Sequence, residues 1–166
     1  MTSIMNKKIE PVLNLAIKYL SYQPRTVHEI RKHIQKKGFD DDIVKKIIKI
    51  LLEKKYLDDN NYAQLFIQGR VRNKPKSKFA FRYELKKKGV SSLVIDKILE
   101  QYDDQTLAIK SVKPKIRLWQ NFDDKKFKKK MINYLRYRGF NYDICLATLD
   151  YFCESNNLIK EDFDEN

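Results

Sequence analysis

The sequence predicts an all-α protein built from three tandem three-helix repeats, on three observations. First, one block is written three times, over residues 30–51, 81–102 and 131–152, with Gly38, Gly89 and Gly139 in register, 51 and 50 residues apart. Second, apolar residues recur at fixed offsets from those glycines. Ile30, Phe81 and Met131 stand eight before; Ile34, Leu85 and Leu135 four before; Phe39, Val90 and Phe140 one after; Ile43, Val94 and Ile144 five after. A fixed period with apolar positions in register marks a repeat architecture, and these offsets are helical. Third, the chain holds only 4 Gly and 4 Pro against 42% hydrophobic residues. Each copy therefore reads as helix, glycine stop, helix.

The glycine accepts the left-handed conformation that closes a helix, and the apolar residue after it packs back on the last turn. Lys36 and Lys37, Lys86 to Lys88, and Arg136 and Arg138 fill those last turns, where the carbonyl end of the helix favours cations.

Taken in order, residues 1–9 lack the pattern and are expected to be unstructured. A helix over residues 10–21 carries Leu13, Ala16, Ile17 and Leu20 on one face, and Ser21-Tyr22-Gln23-Pro24 ends it. Thr26-Val27-His28-Glu29 is a capping box, opening a helix that runs to about residue 37 with Val27, Ile30 and Ile34 inward. A third helix, near 41–55, buries Ile43, Ile47 and Leu51 with Val44, Ile48 and Leu52 beside them. Residues 56–63 link to the second repeat: Leu57 packs back, and an Asp or Asn caps a helix over 60–72. Asp58 and Asp59 invite an acid/base or metal reading, but beside a helix start, with no His or further acid, they are caps. Helices over 78–88 and 92–102 complete that repeat. Asp103 and Asp104 open the third, with Leu107, Ala108 and Ile109 in its first helix, and Pro114 kinks or ends it before Trp119. Phe127, Met131 and Leu135 face inward at helical spacing, and a helix over 143–152 closes the repeat. The repeats are bounded at 10–57, 58–102 and 103–153, with a solvated acidic tail over 154–166. Trp119 and Tyr137 stay open between core and contact.

Each repeat is near the lower size limit for a self-sufficient core, so neighbouring repeats should lean on one another. No apolar run is long enough to span a membrane, and the first residues lack a signal core, which points to the cytoplasm. Cys145 and Cys153 lack metal-binding spacing and are expected as buried reduced thiols.

Thirty-five Lys and Arg against 22 Asp and Glu give a net charge of +13, which implies a polyanionic partner. The densest stretch, residues 70–88, sets nine cations (Arg70, Arg72, Lys74, Lys76, Lys78, Arg82, Lys86, Lys87 and Lys88) against Glu84 alone, with Phe79, Phe81 and Tyr83 interleaved. Phe81 and Leu85 read as core and the cations as a phosphate-facing surface. A second cluster, Lys125, Lys126, Lys128, Lys129 and Lys130, opens the matching helix of repeat three, against the preference of a helix N-terminus for anions. Such lysine runs contact backbone charge, not base sequence. His28 and His33, five apart on one helix, project about 140° from each other and cannot share a metal. No phosphate loop, nucleophile–base pair or metal cluster is present in the pattern, so neither catalysis nor a cofactor is expected.

These residues resemble the RecX family of bacterial regulatory proteins. The likeness is carried by Ala16, Tyr19-Leu20 and Glu29 with Lys37-Gly38; by Tyr56-Leu57-Asp58-Asp59 with Tyr62-Ala63, Phe66 and Arg70; by Glu84 to Val90; and by Tyr134 to Phe140, covering about residues 13–152. One departure is Lys74-Pro75-Lys76-Ser77-Lys78, where the family pattern has a glycine near Ser77. The resemblance implies an elongated, curved, monomeric, non-enzymatic protein. It would lie in the groove of the RecA–DNA filament and inhibit RecA ATPase, recombinase and co-protease activities. Arg70, Lys86, Lys87 and Lys88 then lead as filament or DNA contacts, followed by Arg72, Lys76, Lys78 and Arg82, with Lys126, Lys129 and Lys130 beside them; single- and double-stranded DNA would be held weakly through phosphates. Two other readings compete. One is a general nucleic-acid binder of helix-turn-helix type, since a three-helix unit can place a helix in a groove. The other is a scaffold whose charge serves solubility alone.

Overall fold

A computed structural model describes the backbone of residues 2–119 and 121–164 and the side chains of 9–119 and 121–154. Among the described residues every regular element is helical. In chain order they are α1 (Thr2–Tyr22), α2 (Val27–Lys36), α3 (Asp41–Glu53), α4 (Asp59–Asn73), α5 (Lys78–Lys87) and α6 (Ser92–Leu99). Then come α7 (Asp104–Val112), a 3-10 turn (Lys113–Lys115), α8 (Ile116–Trp119), α9 (Asp124–Tyr137) and α10 (Tyr142–Asp164).

The glycine stops behave as expected. Gly38, Gly89 and Gly139 have φ of +83°, +77° and +85°. After α5, the Gly89 N–H donates to the Lys86 carbonyl and the Val90 N–H to the Leu85 carbonyl; after α9, Gly139 and Phe140 do the same to Arg136 and Leu135. This paired closure satisfies carbonyls the helix end would otherwise leave open. Lys55, at φ +58°, takes the same left-handed position after α3 without being glycine.

The chain divides into two compact units, Met1–Phe66 with Glu84–Ile98, and Ile67–Tyr83 with Leu99–Asn166. In the first, α1 packs on α2 and α3, and α2 on α3. Its core joins Val12 and Ala16 of α1, Ile30 and Ile34 of α2, and Val44, Ile47, Ile48 and Leu51 of α3; Leu57 folds back onto them. In the second unit, α10 packs on α9 and α7. Leu107, Ala108, Val112, Trp119, Phe127, Met131, Leu135, Cys145 and Leu149 are buried there. Each fully buried Ile, Leu or Phe contributes about 1.5–3 kcal/mol.

Several expectations need correction. The backbone is helical from Thr2, so the amino-terminal residues form the start of α1 rather than a loose lead; Pro11 is tolerated within that helix. The face of α1 centres on Val12 and Ala16, with Leu13, Ile17 and Leu20 only part-buried around them. Leu52 is 45% exposed and Ile43 part-buried, because the buried stripe of α3 runs through Val44, Ile47, Ile48 and Leu51. Cys145 is buried and Cys153 half-buried, both unpaired. The last helix does not stop at residue 152: α10 continues through the acidic segment to Asp164, while side chains beyond Glu154 lie outside the described residues. Pro114 ends α7, as expected, through the 3-10 turn before α8. Trp119 is core, its ring edge-on to Tyr134 at 5.3 Å.

Candidate nucleic-acid interface

Two repeat junctions, built alike, engage Lys88 and Arg138 within the fold. In the first unit Thr26 caps α2, its hydroxyl oxygen accepting from the Glu29 N–H while the Glu29 carboxylate accepts from the Thr26 N–H. The same hydroxyl donates to the Lys88 carbonyl at 2.6 Å, immediately before Gly89. The Lys88 ammonium donates to Glu29 at 2.8 Å, and Arg25 approaches that carboxylate at 3.6 Å. In the second unit Ser77 caps α5. It is fully buried, its Oγ accepts from the Ala80 N–H, and its own N–H donates to the Arg138 carbonyl at 3.1 Å, immediately before Gly139. The Arg138 guanidinium donates to the Pro75 carbonyl at 2.8 Å. The loop that departs from the family pattern is thus held by its serine.

The acid pairs complete these junctions. Asp58 and Asp103 each cap their own helix, accepting from Asn61 and Thr106 N–H. Their neighbours reach back one repeat: Asp59 accepts from the Val27 N–H at 2.9 Å and Asp104 from the Lys78 N–H at 2.7 Å. Both are first-turn amides of the preceding repeat's second helix, where an anion is favoured. Capping was legible in the sequence; the backward reach was not.

Lys88 is therefore engaged within the fold, its ammonium bridging the second repeat to Glu29 of the first. Burial works against the ionised Glu29, but the hydrogen bonds from Lys88 and Thr26 and the charges of Lys88 and Arg25 outweigh it, holding the carboxyl below its ordinary 4.5. The bond to Glu29 lifts the Lys88 ammonium above its ordinary 10.5. The lowered carboxylate contributes stability that is complete above pH 4.5 and lost as pH falls through its folded value. The raised ammonium contributes below pH 10.5 and loses it as pH rises through its own. Burial first, then the Asp58 and Glu29 charges, push Asp59 above 3.8, so it favours the fold increasingly as acid is added and partly offsets Glu29. Lys88→Met should lower the unfolding free energy at neutral pH by about 1 kcal/mol, below the usual range for a charged hydrogen bond because Lys88 is 37% exposed and screened by solvent. The wild-type advantage should shrink below pH 4.5 and above pH 10.5; urea midpoints across pH check this, and a pH-independent gap would refute a stabilising bridge.

The remaining candidates divide between the units. Lys86 and Lys87 lie exposed in the first. The second holds Arg72, exposed, Arg70, Lys76, Lys78 and Arg82, part-buried, and Lys126, Lys129 and Lys130, all exposed on α9. The structure brings the last three together: at i, i+3 and i+4 they form one stripe opposite the buried Phe127, Met131 and Leu135. Asn133 and Tyr137 extend the stripe, and Tyr137 is 91% exposed. Lys126 also sits over the Phe122 ring at 4.3 Å. On α5 Phe81 is buried as expected, while Phe79 and Tyr83 face solvent. Cations interleaved with exposed rings can engage phosphates and stack on bases.

Comparison with known proteins agrees with the repeat. Three family models match in order: the RecX first three-helix domain over residues 13–51, the second over 58–99 and the third over 102–149. The chain is 33% identical over 138 residues to Regulatory protein RecX of Prosthecochloris aestuarii, covering 83% of this chain and 91% of that protein. It is 34% identical over 145 residues to Regulatory protein RecX of Lactobacillus johnsonii, covering 83% of this chain and 52% of that one, so it spans about half the length of that relative. The crystal structure of RecX from Lactobacillus salivarius aligns with a TM-score of 0.75 at 22% identity, over 88% of this chain and 97% of that one. With all three domains present in order, the chain belongs to the RecX family of regulatory proteins.

Proposed function

We propose that this protein binds the RecA recombinase filament and inhibits its ATPase, recombinase and co-protease activities, with DNA phosphates as a supporting contact. The observation that carries the reading is the run of three RecX domains across residues 13–149, joined to a surface on which Lys126, Lys129, Lys130 and Tyr137 stand exposed on one helix. The repeats at 10–57, 58–102 and 103–153 act as modules of one binder, a monomer in the cytoplasm that needs no cofactor and performs no catalysis. A binder of a charged polymer needs length and matched charge more than a pocket. Arg70, Arg72, Lys76, Lys78, Arg82, Lys86 and Lys87 join the α9 lysines as contacts to filament or DNA, and Lys88 serves as the brace between repeats one and two.

Adding the protein to RecA, ATP and single-stranded DNA should suppress ATP hydrolysis at comparable or substoichiometric amounts. Unchanged hydrolysis removes this reading. Tight, base-specific binding to bare duplex would favour the general nucleic-acid binder instead.

A further inference from the structure

The first unit carries a second surface, between α1 and the end of α2. Lys18, Tyr19 and Tyr22 of α1, with Leu15 a turn earlier, face His33 and Lys37 at the end of α2 across a groove of about 200 Å³. Its floor is a stack. The His33 imidazole lies on the Tyr19 ring at 3.8 Å and 7°, and the Arg25 guanidinium lies 4.3 Å from the centre of the same ring. The two cannot share a face, so Tyr19 is sandwiched between them. Tyr22, by contrast, is 72% exposed.

We propose that this groove takes one base of a single-stranded nucleic acid, its ring against Tyr22 and the edge of the Tyr19–His33 stack, with flanking phosphates on Lys18 and Lys37. The lining explains the choice of occupant. The exposed Tyr22 ring suits a planar base, and the two lysines lining the groove suit the anions that a nucleic-acid strand places on either side of it. Burial, then the charges of Lys37, Arg25 and Lys36, hold the His33 imidazole below its ordinary value. It thus stands as a neutral flat ring in a positive field. A duplex keeps its bases stacked inside, so only an unpaired strand can supply this ligand. The site stands on its own lining and does not depend on RecA as the partner.

The test uses the full chain and two labelled strands of about 12 nucleotides, within the footprint of a single-strand site: oligothymidine, and an abasic strand with the same phosphates. Wild type should bind oligothymidine about tenfold more tightly than the abasic strand, the range that stacking one base gives. Tyr22→Ala should cut that preference severalfold and leave the abasic affinity in place, and Tyr22→Phe should keep it. Lys18→Gln with Lys37→Gln should weaken both strands alike and reduce the salt slope by about 1.4, at about 0.7 per phosphate contact. Equal affinity of wild type for the two strands overturns the proposal, and so does a preference that Tyr22→Ala leaves undiminished. Circular dichroism confirms that each variant is folded. Because no RecA is present, this outcome is separate from the ATPase result.

Discussion

Gly89→Ala will be the most damaging of the three glycine substitutions, costing about 3–4 kcal/mol, where Gly38→Ala costs about 1 kcal/mol. All three glycines share the left-handed backbone, which an L-residue occupies at about 1–2 kcal/mol. What separates them is the space outside. A methyl on Gly38 meets nothing within 4 Å. On Gly139 it would lie 2.7 Å from Ser77 Oγ and 3.1 Å from the Ala80 Cβ. On Gly89 it would overlap the Cβ and Cγ of His28. That neighbour is fixed to the first turn of α2, so relief requires moving the turn and breaking the Thr26–Lys88 and Glu29–Lys88 bonds with it. The order of loss should be Gly89, then Gly139, then Gly38, read from urea midpoints. His28→Ala should not rescue Gly89→Ala, since the overlap includes the Cβ that alanine keeps. Equal costs at the three sites would mean that backbone conformation alone chose glycine.

The largest functional effect is expected from reversing the α9 stripe. Lys126→Glu, Lys129→Glu and Lys130→Glu together change six units of charge on one helical face, leaving the buried Phe127, Met131 and Leu135 untouched. Affinity for single-stranded DNA at low salt should fall by a hundredfold or more, and the slope of log K against log salt should drop by about 2, at about 0.7 per phosphate contact. Suppression of RecA ATP hydrolysis should be lost in parallel. The control is an equal reversal on α3 and its end: Lys45, Lys49 and Lys54 are exposed and lie outside the candidate surface. If the two triple reversals weaken binding equally, net charge rather than the stripe governs affinity.

The repeat, its three glycines and the inward residues Ile30, Ile34, Phe81, Leu85, Met131 and Leu135 were legible because helical period and a breaker residue are local properties of sequence. The capping box at Thr26 was legible for the same reason. What escaped depends on partners distant along the chain. Lys88 reads as one of three equivalent lysines until Glu29, 59 residues away, is placed beside it. Asp59 reads as a cap for its own helix until the Val27 N–H arrives from 32 residues upstream. The exposure of Leu52 and Tyr137, and the burial of Trp119, follow from which helix covers which face, a tertiary fact that periodicity alone leaves open. The stacked Tyr19 and His33 have no signature at all, being single residues on different helices. Helix ends were least visible: α1 and α10 continue past their apolar stripes, where no packing pattern marks them.

The backward reach of Asp59 and Asp104 has a bearing on synthesis. A nascent chain emerging from the ribosome presents its first repeat before the residue that finishes it has been made. Val27 must wait for Asp59, and Lys78 for Asp104. Each module is finished by the opening residues of its successor, two positions past its own end, so a repeat cut at its boundary should lack the anion that closes its second helix.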